Sequence, residues 1–316
     1  MSTNGATDWP ALPWSEWART CEALHLWCQI LGKYRLAHTP WAIHSWHATL
    51  YVVPRGLTTG PVPDPGADVS LTLDVHDSRL LVEAEGGRRA SVELEPMSVA
   101  EFLERTREAV ESVGGTFDIH GRPNELPDPV LAFEDDRDPR PYDADAVRRY
   151  HRALVRIDRV LAHSRTAWLG KASPVHLFWG SFDLAVTRFS GRPAPPHPGG
   201  IPNLPDAITR EAYSHEVFSA GFWPGNGGAG EPMFYAYCYP TPDAFRERPV
   251  LPAAARWDAA LGEFVLPYEA VRTADDPPAA LAAFLRSAYE AAAVTGDWDR
   301  AALEGEPGVP RRPRAV

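Results

Sequence analysis

The residues with the most chemical promise sit in one run, Ser173 to Arg192, the longest apolar and aromatic stretch of the chain. It carries His176, Trp179, Ser181, Asp183, Arg188 and Arg192. Asp183 stands between Phe182 and Leu184, and a carboxylate in so apolar a setting is costly unless it is paired or put to use. It has two such uses: an ion pair with Arg188, Arg192 or His47, or a general acid or base tuned by its surroundings. Arg188 and Arg192 suit a planar anion held bidentately, and equally an internal salt bridge. His47 and His215 join Asp183 as candidates for moving protons. Ser181, His176, Trp179 and Glu216 join the arginines as candidates for binding.

Other patterns carry less. A zinc or iron site from His47, Asp183 and either His176 or His215 is geometrically open. No His-Glu-x-x-His pair or zinc-type cysteine spacing marks one, so no metal ligand is assigned. Cys21, Cys28 and Cys238 read as small buried hydrophobes. Gly225 to Gly230 spells G-x-G-x-x-G, but it follows Trp223-Pro224 and precedes a strand, which makes it a hairpin loop rather than a dinucleotide site. Ser214-His215-Glu216 has the residue types of a triad, but neighbours on a strand point opposite ways.

The elements that must position these residues follow from periodicity. Trp17, Cys21, Leu24, Cys28 and Leu31 predict a helix over 15–31, closed by Gly32. Ile43 to Val53 reads as a strand with Ser45, His47, Thr49 and Tyr51 on its polar side. A Pro/Gly loop follows. Val69 to Val75, Leu80 to Ala84 and Ala90 to Leu94 then form an antiparallel meander. Ser98 and Glu101 make a capping box for the next helix, and Thr116 to His120 reads as a short strand. Asp143 caps a long helix to about His163, whose outer side carries Arg148, Arg152, Arg156 and Arg159, a solvated face or a partner surface. Residues 175–189 read as one strand. Tyr213–Trp223 with Met233–Tyr239, and Ala255–Asp258 with Glu263–Tyr268, read as hairpins. The last helix spans 278–294.

Sequence blocks recur. Leu31-Gly32-Lys33 returns as Leu169-Gly170-Lys171, and Thr39-Pro40-Trp41 as Ser173-Pro174-Val175. Phe102-Leu103 and Glu108-Ala109 match Phe284-Leu285 and Glu290-Ala291 at one offset. The expected fold is therefore α+β: two related helix-strand-strands-helix halves, 1–121 and 143–300, with antiparallel sheets, helices on the outer faces and a pseudo-two-fold axis. A Pro-rich acidic linker, 122–142, joins the halves, and 301–316 reads as a disordered Pro/Arg tail. The polar sides of the two matching strands would then face each other across a cleft, with His47 near Asp183.

Composition removes whole classes of function. A net charge of -11 excludes a general nucleic-acid binder. No run of 18 apolar residues predicts a membrane span, and the N-terminus has no export signal. Three unpaired cysteines fit a cytoplasmic protein. The blocks Ser173 to Arg192, His197-Pro198, Ala212 to Val217, Ala220 to Gly225 and Phe234 to Pro240 resemble a bacterial family known as domain of unknown function 5996. The resemblance runs from about Trp9 to Trp298. It implies one unit of bacterial, cytoplasmic type and brings no reaction or cofactor. The residues then support two readings. One is an enzyme acting on a small polar or anionic molecule in the cleft, with acid/base or metal chemistry from His and Asp. The other is a non-catalytic small-ligand or protein-interaction module with an aromatic-lined cavity. Cofactor and oligomeric state stay open.

Overall fold

Val69, Leu71 and Leu73 alternate with Ser70 and Thr72, and a strand with that pattern buries one side only. In a computed structural model describing residues 9–314 it is the centre of a five-stranded antiparallel sheet. The strands are β1 (Tyr51–Val53), β2 (Gly56–Val62), β3 (Val69–Asp74), β4 (Arg79–Ala84) and β5 (Arg89–Glu93), paired in sequence order. Two helices flank them in the chain, α1 (Trp14–His38) and α2 (Val99–Ser112). Ser98 caps α2 by accepting from the Glu101 N–H at 3.1 Å.

The second sheet has six strands in the order β10-β11-β9-β8-β7-β6, all antiparallel. These are β6 (His176–Phe178), β7 (Asp183–Pro193), β8 (His215–Trp223), β9 (Met233–Tyr239), β10 (Arg256–Asp258) and β11 (Glu263–Pro267). Long α3 (Ala144–Arg165), capped by Asp143, and α6 (Pro277–Thr295) pack on one face of it. Short helices α4 (Asp206–Ala212), α5 (Tyr268–Arg272) and α7 (Arg300–Leu303) complete the fold. The architecture is α+β, as expected. Leu50 and Leu177 exchange both backbone hydrogen bonds, at 3.0 and 2.8 Å, and so join the edges of the two sheets. One apolar core runs through both.

Several elements differ from expectation, each for a local reason. Helix α1 does not stop at Gly32 but continues to His38, and it is buried almost all round from Thr20 to Tyr34. Residues 43–45 form a single 3-10 turn with His44 and Ser45 at φ of 61° and 54°, so only Tyr51–Val53 of the expected strand remains. Residues 175–189 are a hairpin, not one strand; Phe182 turns it at φ 64° and donates its N–H to the Phe178 carbonyl. Thr116 to His120 is irregular, and the Pro/Gly loop after Val53 contains β2, whose Pro61 sits at a register shift. The sheet pairings do not establish the pseudo-two-fold: the two sheets differ in strand number and order. In the tail, Gly305 and Gly308 donate to the Ala167 carbonyl and Thr166 Oγ1 and tie that segment to the end of α3. Among the described residues no helix is long and apolar enough to cross a membrane.

Candidate functional site

Alternation divides the six-stranded sheet into two faces of different chemistry. Leu184, Val186, Phe222, Phe234 and Leu266 point into the core beneath α3 and α6. The opposite face carries Phe178, Asp183, Thr187, Ser219, Tyr235, Tyr237 and Glu263. Register sets Phe178 beside Asp183, Thr187 beside Ser219 and Ser219 beside Tyr237. Thr187 and Ser219 share a hydrogen bond of 3.0 Å, and the Tyr213 and Tyr237 hydroxyls share one of 2.7 Å. Asp183 accepts from Ser181 Oγ at 2.6 Å and from the Tyr235 hydroxyl.

Tyr235 reaches Asp183 because Gly221 lies between them on β8. A Cβ there would sit 2.5 Å from the Tyr235 hydroxyl and 2.4 Å from the Leu184 carbonyl oxygen. Gly221→Ala is therefore expected to push Tyr235 off Asp183 and to destabilise the fold by about 1–3 kcal/mol. A urea midpoint equal to that of the wild type would show that the strands yield freely here.

Helix α1 positions the rest. His25, Gln29 and Lys33 recur every four residues and form one buried polar stripe. His25 Nε2 bonds the carbonyls of Trp179 and Gly180 at 3.0 and 2.8 Å. Gln29 donates to the Asn124 carbonyl at 2.9 Å and accepts the Asn124 N–H at 2.8 Å. Lys33 donates to Asn124 Oδ1. The stripe thus clamps the β6–β7 turn and the loop at 124 side by side. Glu125, at φ 61°, is set against Gly180: a Cβ on that glycine would meet Glu125 Oε1 at 2.0 Å.

These groups enclose a cavity of about 210 Å3. Asp183, Ser181 and Glu125 form its polar end. Phe178, Trp179, Tyr213, Tyr235 and Tyr237 supply aromatic wall; Trp41 and Ile201, both exposed, stand at the rim. Helix α4 contributes Ile208, Thr209 and Ala212, and its Glu211 accepts from Trp41 Nε1 and the His44 N–H. The lining contains no Lys or Arg. Burial raises the Asp183 carboxyl above its usual range, against the bonds from Ser181 and Tyr235. Burial and then the nearby Asp183 charge push Glu125 up to about 7. Glu263, whose Oε2 is buried without a partner, is pushed up to about 8 by burial, then by Asp183 and Asp258. His44, 6% exposed with Nδ1 unpartnered, is pushed down to about 4 by burial, then by the Lys171 charge, and is neutral.

Of the residues singled out in the sequence, Asp183, Ser181 and Trp179 line this cavity. The others do not. His47 does not approach Asp183; its Nδ1 meets the backbone of Ala42 and its ring lies on Trp41. The reason is the turn at 43–45, which replaces the strand that was to carry it. His176 is fully buried on the sheet beside Tyr51 and Phe178, with neither ring nitrogen partnered. His215 bonds Ser214 at the start of β8. Arg188 points the other way from Thr187: it donates to the carbonyl and hydroxyl of Ser164 and covers the Tyr289 ring. Arg192 is spent on Glu216 and on the carbonyls of Gly296 and Asp297. No arginine is brought up to hold an anion. Among the described residues no cluster of three or more His, Cys, Asp or Glu side chains is arranged to hold a metal ion.

Glu125, Glu263, His44, Ser219 and Tyr213 are the functional candidates that sequence reasoning missed; Tyr235 and Tyr237 share a strand face that reads in the sequence as core or pocket wall, and both line the cavity. The stripe His25-Gln29-Lys33 was a signal for part of this set. Glu125 lay inside a segment read as linker. No curated protein and no solved structure matches the chain. A family model described as a family of unknown function (DUF5996) matches residues 9–305, and the chain belongs to that family.

Proposed function

We propose that the chain binds a small, largely apolar molecule in this cavity and holds its polar end against the Asp183 and Glu125 carboxyls. The observation that carries this reading is the pair itself: two acids converging on Ser181 at one end of an aromatic-walled cavity. Two carboxyls so close do not both ionise readily, so the pair offers one donor and one acceptor. An apolar cavity with a few convergent polar groups is the usual form of a small-molecule site.

A second reading, acid–base catalysis on the bound molecule, is favoured by Glu125. A carboxyl held near 7 can give and take a proton at neutral pH. Native mass spectrometry of the purified full chain separates the two. The wild type is expected to carry a small-molecule adduct that Ile208→Trp, which fills the cavity wall, loses. Under simple binding, Glu125→Gln carries the same adduct as the wild type in a smaller amount. Under catalysis it retains a different one, the unconverted substrate. An adduct that survives Ile208→Trp unchanged would place the ligand elsewhere and overturn both readings.

A further inference from the structure

We propose that the polar end of the ligand is a cation, a protonated amine on an aromatic or alkyl body. This rests on the binding reading above and names the class of molecule that the site selects. Three observations converge on it. First, among the described residues no Lys or Arg lines the cavity and none is seen in an ion pair with the carboxyls at its polar end. Asp183 takes its hydrogen bonds from two hydroxyls, Ser181 and Tyr235. Glu125 lies beside the same serine, and Glu263 follows on β11. The nearby cations are engaged by other groups: Lys33, just behind the wall, with Asn124 and the Trp179 ring, Lys171 with the Trp46 and Phe189 rings, Arg188 with Ser164, Arg192 with Glu216. A buried carboxylate left without a cation is costly, and a bound ammonium removes that cost.

Second, the walls suit a cation. Tyr213, Tyr235, Tyr237, Phe178 and Trp179 line the cavity, and aromatic rings attract an ammonium over their faces and repel an anion there. Third, His44 lines the same cavity, is more than nine-tenths buried, and leaves Nδ1 without a partner. Its neutral imidazole puts no positive charge on the cavity wall to oppose a bound ammonium. Size limits the body: an apolar cavity of about 150 Å3 holds one benzene ring, so 210 Å3 admits a ring with a short chain.

The test uses three probes with one body: 2-phenylethylamine, 2-phenylethanol and phenylacetate. Binding to the full chain is followed by ligand-observed NMR at about pH 8, where the amine is protonated and Glu125 ionised. The amine is expected to bind at least about tenfold tighter than the alcohol, and the carboxylate not at all. Asp183→Asn and Glu125→Gln should each cost the amine more affinity than the alcohol and so shrink the amine's advantage, and a far-UV circular dichroism spectrum like that of the wild type shows that the variants are folded. Ile208→Trp should abolish every signal. Alcohol binding as tight as amine, or carboxylate binding tightest, overturns the cation while the pocket stands. Failure of all three probes overturns the pocket reading itself.

Discussion

Glu263→Gln is expected to stabilise the fold at alkaline pH, by a margin that shrinks steadily toward acid. The wild-type carboxyl titrates at about 8 in the folded chain and near 4.5 when unfolded. A group whose folded pKa is raised lends stability that is fully present below its unfolded value and is lost as pH rises through its folded value. Between pH 5.5 and 8.5 this loss comes to about 3 kcal/mol for Glu263. Gln has the same shape and no charge, so the variant loses the slope. Urea unfolding of both proteins at the two ends of that range checks it: the difference in stability should widen by about 3 kcal/mol toward the alkaline end. Parallel pH profiles would mean that Glu263 is ordinary and that its burial on the sheet beside the cavity leaves its carboxyl unperturbed.

The buried imidazoles pull the other way. Burial lowers His176 to about 3, and His25 and His44 to about 4, against a usual 6.5. Their contribution is present above 6.5 and is lost as pH falls through the folded values, because the unfolded chain takes up the protons first. The fold is therefore limited by carboxyls on the alkaline side and by histidines on the acid side. Both limits come from groups in or beside one cavity.

What the sequence revealed follows how local each signal was. The β3 alternation, the Ser98 and Asp143 caps and the two later hairpins are set by neighbours within a few residues, and all could be read directly. Asp183 could be read as unusual because its neighbours are apolar. Its partners could not: Tyr235 is 52 residues away and reaches it only across Gly221. Glu125 was hidden because its loop has no period, and the loop is placed by the Asn124 N–H on Gln29 of α1 and by the Glu125 N–H on the Pro202 carbonyl, both far along the chain. The expected strand at 43–53 failed because alternation cannot foresee two consecutive residues in the left-handed region. That one turn moved His47 away from Asp183 and brought His44 to the cavity.

Gly32 shows how a local rule can mislead, and it supports the second large effect. Glycine after an apolar-periodic run ordinarily marks a helix end, yet here α1 passes through it for a further six residues. The reason lies across the core. A Cβ on Gly32 would sit 2.1 Å from Cδ1 and Nε1 of Trp179. The indole lies flat on the helix at that point, donates Nε1–H to the Ala48 carbonyl at 2.7 Å, and walls the cavity. In an ordinary helix interior Gly→Ala stabilises by about 1 kcal/mol. In α1 the sign should reverse. Overpacking against a ring fixed on both sides costs about 1–3 kcal/mol, and losing the indole hydrogen bond costs about 1 more. Gly32→Ala is therefore expected to lower stability by about 1–3 kcal/mol net of the propensity gain, and to weaken binding of the phenylethyl probes. In a Trp179→Ala background the same substitution should turn stabilising, since the obstruction is gone. That change of sign in a double-mutant cycle isolates the contact from every other effect of the two substitutions. If Gly32→Ala stabilises the wild-type chain, the indole is not held where the helix requires a glycine, and the wall it forms is not fixed in place.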